Sequence, residues 1–536
     1  MTSTSPSPSQ LRPVPARNRG PVVPVEPATV DEMIRLAAQR HPDLDAVVAA
    51  DATLTHREFD ARVNAFTRTL LDAGVCTGDR VAVVARRSAA LPIAAAAVIR
   101  AGGVYTPVDP SNPAERIAYI LENSEPVLVL TVGDVELPAT DLPVIPVPLA
   151  PEGDTSAVDA RELTRPVTPE DGVYLIYTSG TTGAPKGVLN VHRGAAAHMQ
   201  WFVRTLGPVE DFRWMQKAPV GFDVSVAEMI TPLAGGGAVV LPSATWWPGD
   251  VDGFVDVIRD NRVTVLSMVP SHMRVVAEVL EDFGDSLDAL NGLRFLLLGG
   301  EAVPTDLAQR CLDEIGCRIL GLYGPTEAAM DVTCVEYTAD STPPCPEGTC
   351  LLGLPEDNVT VHILDAEGNE VGDDETGELY LAGVQLAAGY VGDEELTART
   401  FVPSPFEGDA GGRMYRTGDL AGWHRGQMYY AGRVDDQVKI RGNRVTLGEV
   451  ESALSGLDGV RAAAAVADTT GENPELRGFI VADPGCPDYD TLAAQMRGRV
   501  PAYAVPSTIT LIDQLPVTGN GKLDRRELVR LYHSRK

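Results

Sequence analysis

The segment Tyr177–Gly187, YTSGTTGAPKG, packs hydroxyls, glycines and one lysine into a short loop. Its glycines, Gly180 and Gly183 among them, let backbone N–H groups close on phosphate oxygens. The hydroxyls of Thr178, Ser179, Thr181 and Thr182 add donors, and Lys186 adds a positive charge. Such a loop suits a polyphosphate. It is not a Walker A loop, because the GxxxxGK[ST] spacing occurs nowhere in the chain. The same composition also describes an ordinary surface loop, so the reading depends on its company.

Four more segments carry polar chemistry. GLYGPTE (Gly321–Glu327) sets an aromatic, a hydroxyl and a carboxylate around a turn dipeptide. YRTGDL (Tyr415–Leu420) offers Asp419 in a turn after a strand. GRVDDQVKIRG (Gly432–Gly442) is a charged turn followed by a strand, and GNGKLDR (Gly519–Arg525) presents Lys522 on a glycine-flanked loop. Taken singly, each is an ordinary polar turn.

The elements that must position them alternate. Val30–Arg40 and Arg57–Ala73 have helical periodicity, while Arg80–Ala85 and Val127–Leu130 are apolar strands. The theme repeats from Thr168 to about Gly300, with strands at Val173–Ile176, Ala238–Leu241, Val263–Met268 and Arg294–Leu298. This alternation predicts α/β layers with largely parallel sheets. From Asn358 to His424 the chain turns β-rich, with strands predicted at Val359–Leu364 and Gly377–Ala382, and Gln427–Ala431 just beyond. The last hundred or so residues read as a separate α+β unit: a strand over Val434–Arg441, a helix opening at Val445–Leu454, and strands at Val460–Val466 and Gly478–Val481. The expected division is a disordered tail over 1–27, a large domain over 28–432 and a small domain over 433–536.

Composition narrows the function classes. The 536 residues are 44% hydrophobic and 22% charged, and 44 basic against 74 acidic residues give a net charge of −30. That balance argues against a nucleic-acid or anionic-membrane surface. The longest apolar run, near Leu91–Ile99, is far short of the roughly 20 residues a membrane span needs. The N-terminus lacks a secretory apolar core. Seven scattered cysteines without CxxC or zinc spacing suit reduced thiols in a cytoplasm.

Taken together and in order, these segments resemble the adenylate-forming enzymes, most closely the amino-acid-activating adenylation domains of nonribosomal peptide synthetases. Supporting matches are LTHREF at Leu54, IRAGGVYTPVDP at Ile99, GFDVS at Gly221, GELYLAGVQLAAGY at Gly377 and VPAYAVP at Val500, so the resemblance covers about Ala28 to Arg525. It implies α/β sheet layers with a distorted β-barrel subdomain and a small mobile C-terminal α+β domain. The implied reaction joins a carboxylate to the α-phosphate of ATP, with Mg²⁺, and then passes the acyl group to the phosphopantetheine thiol of a carrier protein.

The resemblance also implies roles. Thr178 to Lys186 cradle the β- and γ-phosphates. Thr326 touches the α-phosphate and Glu327 holds Mg²⁺. Tyr323 stacks on adenine, with Gly300, Glu301 and Ala302 on the opposite face. Asp419, aided by Arg433, takes the ribose hydroxyls. Lys522 bridges substrate carboxylate and α-phosphate, and Asp435 matches the hinge. Family members often carry Asn where this chain has Gly321. Asp223 matches the aspartate that pairs with a substrate α-ammonium; the plainer reading is a helix N-cap.

The same anchoring gives a substrate pocket of Asp223, Val224, Ala227, Ser267, Leu297, Gly299, Leu322, Met330, Asp331 and Lys522. Small residues make it roomy, and Asp331 and Ser267 give it polar ends. A carboxylate in an apolar pocket is costly unless it meets a donor or cation, so the expected substrate is a polar or basic amino acid. The chain ends 14 residues after Lys522, which leads to the expectation of a stand-alone enzyme loading a separate carrier. FVPSPF at Phe401 resembles adenylation domains that bind an MbtH-like helper. The rival readings are a coenzyme A ligase of the same superfamily and a catalytically silent homologue.

Overall fold

The computed structural model describes residues 11–179, 184–207, 212–246, 250–338, 346, 349–434, 437–469, 474–482, 486–516 and 523–534. The expected elements form with small shifts. Val30–Arg40 is a helix, the second helix is His56–Asp72, and Arg80–Ala85, Ala238–Leu241 and Val359–Leu364 are strands. LTHREF is a helix start: Thr55 and Glu58 form a reciprocal capping box that satisfies two otherwise orphaned N–H groups. The apolar run near Leu91 becomes the helix Ala90–Arg100, buried along its whole length. Arg100 is buried with it, and its guanidinium is neutralised by Asp31 at 2.7 Å and Asp60 at 2.8 Å. No helix among the described residues is long and apolar enough to cross a membrane.

Two large sheets organise the chain. One has seven strands, with Arg80–Ala85, Val104–Val108 and Gly172–Thr178 side by side in parallel and Lys186–Val191 antiparallel at the flank. The other begins as a parallel run that includes Val265–Met268, Phe295–Leu298 and Arg318–Tyr323. It then continues antiparallel through Thr333–Tyr337 and Cys350–Pro355 into the β-rich region. The expected barrel is therefore an open one, continuous with this second sheet. The principal apolar cluster lies where helices pack on these sheets, and Ala227, Leu297, Leu322 and Met330 belong to it.

Beyond Arg433 comes a hairpin of Gln437–Ile440 and Asn443–Thr446. The helix Leu447–Ser455 and a three-stranded sheet follow. This part docks on the rest through a buried Arg116–Glu449 pair at 2.9 Å and through Tyr503 against Phe222.

Three expectations need correction. Residues 11–27 are not a disordered tail: Arg17 pairs with Asp373 and lies over Trp423, Asn18 bonds Glu370, and Gly20 donates to Val359. Charged and amide side chains anchor this Pro-rich stretch on the β-rich region, a tertiary effect that composition does not carry. Asp419 sits inside the strand Arg413–His424, not in a turn after one. The strand expected from Val434 begins at Gln437.

Candidate active site

Strands Gly172–Thr178 and Lys186–Val191 pair antiparallel, so the glycine loop is their connection. Gly180, Thr181, Thr182 and Gly183 lie outside the described residues. The Thr178 hydroxyl is buried without a partner among the described residues. Ser179 donates to the Arg444 carbonyl at 2.7 Å. Lys186 Nζ lies 3.0 Å from Glu327 Oε1 and 3.0 Å from Tyr390 Oη.

Glu327 is fully buried. It accepts from Tyr390 Oη at 2.7 Å and from Arg444 Nη1 at 3.2 Å on its second oxygen. Burial opposes its charge, yet Lys186 and Arg444 hold the carboxyl far below the usual carboxylate range. A single ionised carboxylate of this kind fits Mg²⁺, which commonly takes few protein ligands beside phosphate oxygens. Among the described residues no larger acidic or histidine cluster offers an alternative.

A cavity of about 500 Å³ has Glu301, Ala302, Gly321, Leu322, Tyr323, Arg433 and Lys439 on its wall. Tyr323 Oη donates to Asp419 Oδ2 at 2.5 Å and Arg433 Nη1 to Asp419 Oδ1 at 2.5 Å. Glu301 accepts from Ser271 and from the Gly442 N–H at 2.6 Å. A side chain on Gly300 would meet Gly442 at 3.6 Å, so the hairpin tip lies over this wall. Gly321 has a steric reason: a Cβ there would meet Tyr337 and Val335 at 2.8 Å. The neighbouring tyrosine fills the space an asparagine would need.

The expected pocket residues fall on adjoining elements. Asp223, Val224 and Ala227 open the helix Asp223–Gly235. Its N-cap is Phe222, so the plain capping reading fails. Asp223 accepts instead from the Val224 N–H at 2.8 Å, and burial pushes its carboxyl up. Ser267 and Leu297 are cross-strand partners, and Gly299 faces Leu322. The Ser267 hydroxyl accepts from the Trp214 indole at 3.1 Å, leaving its own proton to offer. Ala329 and Met330 both take positive φ, and Gly324 has no room for a Cβ because the Met330 carbonyl would lie 2.0 Å away. That tight reversal delivers Met330 and Asp331. Burial pushes the Asp331 carboxyl up to about 7, with His198 opposing.

Lys522 and Asp435 lie outside the described residues. Sequence reasoning missed Lys439, Arg444 and Tyr390. A usable signal existed for the first two. Arg441 (φ 50°) and Gly442 (φ 75°) form a two-residue turn with both φ positive, which pairs Lys439 with Arg444 across the hairpin. The two cations then serve one site. Arg444 reaches Glu327, and Lys439 lies 5.6 Å from the Tyr323 ring centre.

A family model described as AMP-binding enzyme matches residues 34–391, and one described as AMP-binding enzyme C-terminal domain matches 449–522. The chain is 37% identical to novobiocin biosynthesis protein H of Streptomyces niveus, over 96% of this chain and 84% of that protein. It is 36% identical to phosphinothricin tripeptide synthetase PhsC of Streptomyces viridochromogenes, over 93% of this chain, but spans only 45% of that protein. The solved structure of holo-PA1221, described as an NRPS protein containing adenylation and PCP domains, matches with a TM-score of 0.81 and 26% identity, over 94% of this chain and 84% of that one.

Proposed function

The chain belongs to the AMP-binding enzyme family and is an adenylate-forming, AMP-producing ligase of nonribosomal-peptide-synthetase type, and from that premise we propose that its substrate is a polar or basic amino acid. The observation that carries the reading is the placement of Asp223 at the first residue of its helix, close enough for the charges of Glu327 and His198 to act on its carboxyl. It puts a carboxylate suited to an α-ammonium near Glu327, so the substrate carboxylate is directed toward the phosphate chemistry.

In this account the carboxylate attacks the α-phosphorus of ATP and pyrophosphate leaves. The reacting groups repel, so neutralisation and alignment are the main demands. Lys186, Thr178, Ser179 and residues 180–183 hold the departing phosphates, and Thr326 orients the α-phosphate. Tyr323 supports adenine, with Gly300, Glu301 and Ala302 opposite. Asp419 and Arg433 hold the ribose, and Lys522 bridges carboxylate and phosphate. Glu327 would hold Mg²⁺, which screens phosphate charge when bound. Val224, Ala227, Ser267, Leu297, Gly299, Leu322, Met330 and Asp331 shape the side-chain pocket.

A carrier's phosphopantetheine thiolate then attacks the adenylate carbonyl and AMP leaves. The unit 433–536 pivots at Asp435 against 28–432 between the two steps. The docked hairpin, with Arg444 on Glu327, suits the second step. An MbtH-like protein assists at the FVPSPF segment, and the reaction is cytoplasmic.

The test is amino-acid-dependent ATP–pyrophosphate exchange over a panel weighted to basic and polar amino acids, with and without an MbtH-like protein. Acceptor assays with a phosphopantetheinylated carrier and with free coenzyme A follow. One strong polar responder transferred to the carrier supports the reading. Efficient acylation of coenzyme A, or preference for phenylalanine or valine over every polar amino acid, contradicts it.

A further inference from the structure

Behind Asp331 lies a row of buried titratable groups that the reaction does not use. His198, on the helix His192–Leu206, has no exposed surface. Its Nε2 is 4.0 Å from Asp331 Oδ2, and its Nδ1 is 3.0 Å from Glu356 Oε2. Gln385 Nε2 donates to the same Glu356 oxygen at 3.4 Å. Trp201 and Phe202 enclose the imidazole, so its ring cannot turn away into solvent. His198 Nε2 makes no hydrogen bond among the described residues.

We infer that the Glu356–His198 pair is a positioning device which sets the charge and orientation of Asp331, and thereby decides whether the pocket accepts a side chain bearing a cation or hydrogen-bond donor. The inference rests on the amino-acid-activating reading above and adds two residues to the specificity determinants of that site.

The physical case is a shortage of protons among close acids. Asp223, Asp331 and Glu356 surround one imidazole in an apolar setting, and they cannot all ionise. Burial pushes Glu356 well up and His198 down to about 4. In the proposed arrangement Glu356 carries the proton and donates to Nδ1 across their 3.0 Å contact. That fixes the imidazole tautomer, with Nε2–H aimed at Asp331. A donor facing Asp331 favours its carboxylate form, the form that binds an ammonium or accepts from a hydroxyl. Tyr174 faces Asp331 from the neighbouring sheet, and Asp223 from its own helix. Cys334 and Lys439 face it from the following strand and the hairpin. Of these groups, only the imidazole has its tautomer fixed by a second acid.

The experiment measures exchange with L-ornithine, L-lysine, L-glutamine and L-threonine, with L-leucine as apolar comparator, for wild type, His198→Leu, His198→Gln and Glu356→Leu. In His198→Leu the KM for the strongest polar responder rises about tenfold or more, while the KM for ATP holds. The preference for that amino acid over L-leucine narrows by a similar factor, and the pH profile of kcat/KM for the amino acid moves upward. His198→Gln restores most of the preference, and Glu356→Leu reproduces part of the loss. Unchanged amino-acid KM, preference and pH profile in His198→Leu overturn the inference alone. A parallel loss for amino acid and ATP, unrescued by His198→Gln, overturns it as well. A wild type silent with every amino acid overturns the underlying reading too.

Discussion

Arg444 Nη1 stands 3.2 Å from Glu327 Oε2, joining the hairpin beyond Arg433 to the carboxylate beside Thr326. The same carboxylate is the proposed Mg²⁺ ligand, so guanidinium and metal compete for one group. Arg444→Ala is therefore expected to keep amino-acid-dependent exchange within about threefold of wild type, while transfer to the carrier falls about tenfold or more. Parallel assays of the two half-reactions check this. Equal losses in both would place Arg444 in the first step as well.

Lys186 and Glu327 form a buried pair, and removing one partner strands the other's charge. Lys186→Ala or Glu327→Ala each should cost about 3–5 kcal/mol of stability and suppress exchange about a hundredfold or more. The double substitution should cost less than the sum. Denaturant unfolding of the three variants measures the coupling.

Asp331 gives a pH signature. Its folded carboxyl is raised to about 7 by burial, above an unfolded value near ~4. The stability it allows is complete below the unfolded value and is lost as pH rises through the folded one. Asp331→Asn should then match wild type near about pH 4 and exceed it at about pH 8, by about 1–3 kcal/mol. Unfolding at the two pH values decides. An identical offset at both would mean Asp331 titrates normally.

Gly321 and Tyr337 compete for one volume. Gly321→Asn should destabilise the protein by about 1–3 kcal/mol through overpacking, and the added Tyr337→Ala should recover part of that loss. Thermal unfolding of the single and double variants tests it.

Much of this was legible in the chain. Val173–Ile176 and Ala238–Leu241 are strands of the expected type because a run buried on both faces needs no partner to declare itself. Lys186, Glu327, Tyr323 and Asp419 were marked by short motifs. What stayed hidden depends on pairings between distant residues. Asp419 lies mid-strand because its strand pairs on one side with Arg433 and Gly432 and on the other with Glu378. Arg17 reaches Asp373 and Trp423 across the chain, which no local pattern announces. His198 and Glu356, 158 residues apart, become one unit only in the fold.

The most direct test compares exchange for the strongest amino-acid responder with that for the same acid lacking its α-amino group, in wild type and in Asp223→Ala. Wild type is expected to lose about a hundredfold or more in kcat/KM on deletion of the amino group. Asp223→Ala should then discriminate little between the two. Equal use of the two acids by wild type would contradict amino-acid activation at its centre.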